Sequence, residues 1–204
     1  MTNRQKAAQE TRQKIVAAAK KLICEKGLAN TSIDDITEAC GVAKGSFYTY
    51  FKRKEDIVFE LSRGMFDEIL DDAKNHNGTF LDKLQKYMTE FASYIEKSSV
   101  KLAQEWIKNV VVPDSIPKGY ENNKLEIDIN NATKLLQYGI EVGELKSNCP
   151  ITQLAYMITD LLYGQMLCWA MSDGAYSYKE RTQEYCAMFL HLIFEDYLIN
   201  KEAK

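Results

Sequence analysis

Residues 31–56 read TSIDDITEACGVAKGSFYTYFKRKED, and this stretch constrains the fold more than any other. Ile33, Ile36 and Cys40 recur at helical spacing and give a short helix, Ser32–Cys40, one apolar face. Thr31 opens it with Asp34 three residues on, in the manner of a capping box. Gly41 then stops it and tolerates the positive φ of a tight turn. A further short helix, Ala43–Tyr50, follows with Phe47 and Phe51 on one side. Ile36, Val42, Phe47 and Phe51 can pack the pair together. Two short helices joined by a glycine turn, the second keeping a polar outer face, meet the requirements of a helix-turn-helix.

The rest of the chain is also helical in pattern. Ile15, Ala18, Ala19, Leu22 and Ile23 make a first helix that Gly27 ends. The arm Met1–Glu10 before it, with Arg4 and Lys6, is expected to fray. Lys54-Glu55-Asp56 starts a helix over residues 54–74, and Asn75-His76-Asn77-Gly78 turns the chain. Helical spacing resumes from Phe80 to Ile95 and again over 99–111, and Pro113–Asn123 reads as a loop. Helices are expected at 124–143, 151–172 and 177–200. Period-two alternation is never sustained, so the fold class is all-α with about nine helices. The reading divides the chain into a head, residues 1–56, and a helical body, residues 57–204.

Charge follows that division. Residues 1–56 hold 11 Lys and Arg against 7 Asp and Glu, a balance of +4, and residues 57–204 hold 15 against 22, a balance of −7. A basic head on an acidic body suits a polyanion partner for the head alone, although +4 by itself is also an ordinary solvated surface. The five cysteines, Cys24, Cys40, Cys149, Cys168 and Cys186, include no C-x-x-C pair and read as small core residues in a reducing cytoplasm. His76 and His191 have no second histidine or cysteine one helical turn away. No metal site, cofactor or catalytic constellation is expected. Neither a secretory leader nor an apolar run of about 18 residues is visible, which gives an expectation of a cytoplasmic protein without membrane contact.

The outer face of helix 43–50 carries Lys44, Gly45, Ser46, Tyr48 and Thr49. Lys44 can reach a guanine edge or a phosphate. Gly45 removes a side chain where the helix approaches a duplex. The hydroxyls of Tyr48 and Tyr50 can bond phosphate, and their rings can meet thymine methyls. Lys54 can hold a phosphate at the start of the next helix, as can Thr31 and Ser32 at the start of the earlier one. Singly, each is an ordinary surface residue; the three-helix setting and the clustering favour nucleic acid.

Residues 10–56 resemble the DNA-binding domain of the TetR (TetR/AcrR, tetracycline-repressor-like) family. The similarity lies in R-x-x-I-V-x-A-A-x-x-L-I-x-x-K-G and, most specifically, in G-V-A-K-G-S-F-Y-T-Y-F-K-x-K-E. It implies that Lys44, Gly45, Ser46, Tyr48, Thr49, Tyr50 and Lys54 face DNA, and that Thr31 and Ser32 touch its backbone. Family members often carry histidine at the position of Tyr50. The resemblance also implies a homodimer, a ligand pocket in each body, a two-fold operator, and repression relieved by an effector. An activator, or a helical ligand-binding module without specific DNA binding, are the alternatives.

Within the body, helices 151–172 and 177–200 are apolar on nearly every side: Leu154, Ile158, Leu161 and Cys168 form one stripe, while Met157, Tyr163, Met166 and Ala170 fall elsewhere. Such helices must be covered all round. Either the body buries them or they self-associate as a four-helix homodimer interface, the preferred reading. For an apolar or amphipathic effector, Phe66, Phe91, Tyr94, Trp106, Tyr138, Met157 and Trp169 are candidate linings, each also a plausible plain core residue. Glu105, Glu141 and above all Asp160, which interrupts an apolar helix, are candidate polar anchors.

Overall fold

The computed structural model describes residues 2–61, 65–110 and 124–199. Among these residues it is helical without a strand. Its helices are α1 (Asn3–Lys26), α2 (Ile33–Cys40), α3 (Lys44–Tyr50), α4 (Asp56–Leu61), α5 (Met65–Lys74), α6 (Phe80–Ser98), α7 (Val100–Val110), α8 (Lys124–Glu141), α9 (Ile151–Met171) and α10 (Tyr178–Phe194). The loop expected at Pro113–Asn123 lies outside the described residues, as do positions 62–64 in the helix expected over 54–74.

Packing draws two units, and the first is larger than the head of the sequence reading. It unites α1–α4 with α7. Ile15, Ala19 and Ile23 of α1, Ile36 of α2, Phe47 of α3, Phe51, Ile57 and Val58 converge on one core, and Leu102 of α7 joins them. Ile57, Val58 and Leu102, which lie past residue 56, thus contribute to this core. Lys101 adds a tie, donating to the carbonyl of Glu25 at 2.8 Å.

Local chemistry moves several boundaries. The arm expected to fray is helical from Asn3, because Thr2 and Gln5 form a reciprocal capping box. The start of α2 shifts by one residue from the Thr31–Asp34 expectation. Ser32 is the N-cap: its hydroxyl accepts from the N–H of Asp35, and the Asp35 carboxylate accepts from the N–H of Ser32 at 2.8 Å. Gly41 closes α2 with φ 67°, the left-handed conformation expected of it. The last helix ends at Phe194 rather than near residue 200, because Leu198 turns back to pair with Leu145 in an isolated antiparallel bridge.

The second unit holds α5, α6, α8, α9 and α10 around a core that includes Leu70, Phe80, Leu84, Met88, Phe91, Leu135, Leu136, Ile158, Leu162 and Phe194. Close approach is needed at Gly139 of α8: a Cβ there would lie 2.6 Å from the Phe80 ring and 2.8 Å from Leu145.

Candidate functional site

The helix-turn-helix presents one surface of the first unit. Phe47 is fully buried beneath α3, and Ile36 anchors α2 from the same core. With one side of α3 committed to packing, Lys44, Gly45, Tyr48 and Thr49 are left exposed on the other. Tyr48 is 52% exposed, held edge-on to Phe47 with ring centroids 5.6 Å apart. A Cβ added at Gly45 would meet nothing within 4 Å, so the surface is open there. The Lys44 ammonium lies 2.8 Å from the carboxylate of Asp34 on α2, which raises its pKa. Ser46 is half-buried, and Tyr50 is half-buried against the head core. Lys52 and Arg53 are exposed just past α3.

Two of the proposed phosphate ligands serve the fold. Thr31 is fully buried, and its hydroxyl donates to the carbonyl of Gly27 at 2.8 Å; no surface atom is left to meet DNA, whereas Ser32 is exposed. Lys54 donates to the carbonyls of Leu28 at 2.7 Å and Thr31 at 3.0 Å. Its ammonium ties the turn after α3 to the turn after α1. The corresponding acid is Asp56, nearly buried, whose carboxylate accepts from the N–H groups of Lys52 and Arg53 at 2.9 and 3.0 Å.

The body's candidate linings separate into groups. Phe66 of α5, Phe91 and Tyr94 of α6 do come together: the Phe66 ring lies 4.8 Å from Phe91 and 5.4 Å from Tyr94. Tyr163 of α9 extends the group, 6.4 Å from Phe91. Trp106 of α7 packs against the head core. Tyr138 is half-buried on α8 with the Lys74 ammonium 5.8 Å from its ring. Met157 packs partly buried on the body core, and Trp169 stacks 6.0 Å from Tyr178 while its indole N–H donates to the carbonyl of Tyr176. Asp160 is exposed on α9 on the same side as Tyr156 and Gly164, away from the core, so it is no interior anchor. Glu141 is likewise exposed, and Glu105 of α7 pairs with Lys108.

The interior polar groups are ones the sequence reading passed over. Lys124 and Asp128 of α8 form an ion pair whose side chains are only 12% and 3% exposed. Tyr163 donates its hydroxyl to the same carboxylate at 2.7 Å, and Asn131 donates to Asp67 of α5 at 3.2 Å. Burial pushes the Asp128 carboxyl upward and the Lys124 ammonium downward, against the pull of each on the other. A signal for this cluster was present. Asp128, Ala132, Leu135, Leu136 and Gly139 share one helical stripe, which puts an acid in a core position.

Several large apolar side chains of α9 and α10 are exposed. Tyr156, Leu167 and Met171 of α9 and Met188, Phe189 and Leu192 of α10 are all exposed, Met171 by 79%. Among the described residues no helix is long and apolar enough to cross a membrane, and no cluster of three or more His, Cys, Asp or Glu is placed to hold a metal.

Comparison with known proteins agrees with this anatomy. Residues 15–61 match the family model described as bacterial regulatory proteins, tetR family. The chain is similar to the fatty acid metabolism regulator protein of Bacillus subtilis, 26% identical over 79% of this chain and 84% of the relative. It is also similar to the HTH-type transcriptional regulator AcrR of Shigella flexneri, 25% identical over 91% of this chain and 90% of that one. The crystal structure of the transcriptional regulator FadR from Bacillus subtilis in complex with stearoyl-CoA has the same fold. Its TM-score is 0.65 at 23% identity, over 87% of this chain and 98% of that one.

Proposed function

We propose that the chain, whose residues 15–61 match the tetR-family model, is a TetR-family transcriptional regulator: a cytoplasmic repressor that binds a palindromic operator as a homodimer and is released by a small apolar or amphipathic effector. The observation that carries this reading is the outer face of α3. Lys44, Gly45, Tyr48 and Thr49 stand exposed on a helix whose other side is fixed by the buried Phe47. Lys44 and Tyr48 read base edges or phosphates, Gly45 lets the helix approach closely, and Ser46, Thr49 and Tyr50 of α3 and Ser32 at the N-cap of α2 supply hydroxyls. Lys54 acts through the fold, holding the turns that frame this face.

The dimer forms through α9 and α10. Their exposed Tyr156, Leu167, Met171, Met188, Phe189 and Leu192 make an apolar surface larger than scattered residues account for, and pairing with its symmetric copy gives a four-helix interface. The effector binds in the body, where Phe66, Phe91, Tyr94 and Tyr163 gather. Release follows if it binds better to a conformation whose two recognition helices no longer match successive major-groove faces.

Two measurements test this. Leu192→Glu and Met188→Glu together are expected to give a folded monomer by sedimentation; an unchanged dimer contradicts the interface. Fluorescence anisotropy on DNA upstream of the protein's own gene and its neighbours should show binding that an amphipathic effector reverses. Binding indifferent to every such effector contradicts the ligand-responsive part.

A further inference from the structure

Lys124 occupies the position of a ligand. Its ammonium rests on the Asp128 carboxylate, 3.6 Å from the centre of the Phe66 ring and 5.6 Å from that of Phe91. Tyr94 stands against Phe66, and Tyr163 closes the group through its bond to Asp128. A carboxylate surrounded by aromatic faces is the arrangement that binds ammonium groups: the ring quadrupoles and the anion attract the same charge, and desolvation strengthens both. We propose that this cage, formed by Asp128, Phe66, Phe91, Tyr94 and Tyr163, binds an amphiphilic organic cation whose ammonium takes the place of Lys124. The inference rests on the body being effector-binding and names the effector's class.

The exchange is balanced in charge. Asp128 is fixed in the second turn of α8 and anchored by Tyr163, whereas the Lys124 ammonium ends a flexible four-carbon stem. When the lysine leaves, its charge regains water and the incoming ammonium restores the ion pair, so no buried charge is left alone. An anion has no such route. It would need to displace Asp128 itself, and Asp67, held by Asn131 one turn along α8, adds a second negative group nearby. Among the described residues, two carboxylates, Asp128 and Asp67, act on one ammonium, and they set the sign of the site. The surrounding Phe66, Phe91 and Leu162 belong to the apolar core and suit a hydrocarbon tail.

The test is titration calorimetry of the full chain with monomeric dodecyltrimethylammonium, with lauroyl-CoA as the anionic amphiphile and thermal melting as the check on folding. Lys124→Met removes the competitor and should tighten the cation by about tenfold, because the competent cage is then always free. Asp128→Asn in the same background should abolish cation binding while both variants still melt cooperatively. Cation affinity unchanged by either substitution, or no cation binding to Lys124→Met, overturns the assignment. Lauroyl-CoA that binds and releases DNA while the cation does not also overturns the cage, yet leaves the ligand-responsive regulator standing. Cation binding that follows the two substitutions but never releases DNA upholds the cage and contradicts the regulator's effector response.

Discussion

The ammonium of Lys54 donates to the main-chain oxygen of Leu28 at 2.7 Å, fastening the turn beyond α3 to the end of α1. The same ammonium holds Thr31, so one side chain ties together both segments that frame the helix-turn-helix. Lys54→Met is therefore expected to lower the melting free energy by about 1–2 kcal/mol through loss of a charge-assisted bond to partly buried carbonyls. An unchanged melt with weakened DNA binding would return Lys54 to the role of a simple phosphate ligand.

Two glycines, Gly41 and Gly45, separate fold from contact. Gly41 has φ 67°, and a Cβ there would meet nothing, so Gly41→Ala carries only the left-handed backbone penalty, about 1 kcal/mol. Gly45 has the same open space without the unusual backbone. Gly45→Leu should leave the melt intact and reduce DNA affinity by at least about tenfold, since the added side chain meets only the docked duplex. Anisotropy titration beside thermal melting distinguishes the two.

Lys44 is paired with Asp34 in the free protein. The acid places a negative charge beside a surface that must meet phosphates. Asp34→Asn is expected to tighten DNA binding, most visibly at low salt, because it removes a repulsion and frees the ammonium. Lys44→Ala and Tyr48→Ala should abolish binding while leaving the protein folded. Weaker binding by Asp34→Asn would mean that the pair itself is what DNA reads.

Acid should loosen the start of α2. The N–H of Ser32, bonded to the Asp35 carboxylate, is the first cause that lowers its pKa to about 2, with Lys26 at 2.9 Å adding to it. A carboxyl lowered on folding stabilises fully above its ordinary value of 3.8 and loses that contribution as pH falls toward about 2. The stability difference between the protein and Asp35→Ala should therefore be constant at neutral pH and shrink across that window in pH-dependent melts. A difference that persists at its lower end contradicts the capping role.

The parts visible in the sequence were those set by local chemistry. Ile36, Gly41 and Phe47 specify α2, the turn and α3 within one short stretch, and the exposed face of α3 follows from that register. Parts that depend on distant partners were not visible. Nothing near Trp106 in sequence says that α7 joins the head core, and nothing near Thr31 says that its hydroxyl turns inward to Gly27. Asp160 and Asp128 each interrupt an apolar helix, yet one faces solvent and the other is buried on Lys124. The stripe that Asp128 shares with Ala132, Leu135, Leu136 and Gly139 marks it as a core position, and the packing of α8 against α5 and α9 covers it.

Selection from random double-stranded DNA by the purified protein addresses specific operator recognition most directly. The expected result is enrichment of an inverted repeat with half-sites about one helical turn apart or a multiple of it, bound with an affinity that falls steeply as salt rises. Enrichment of no palindrome, with affinity equal for all sequences, would contradict it.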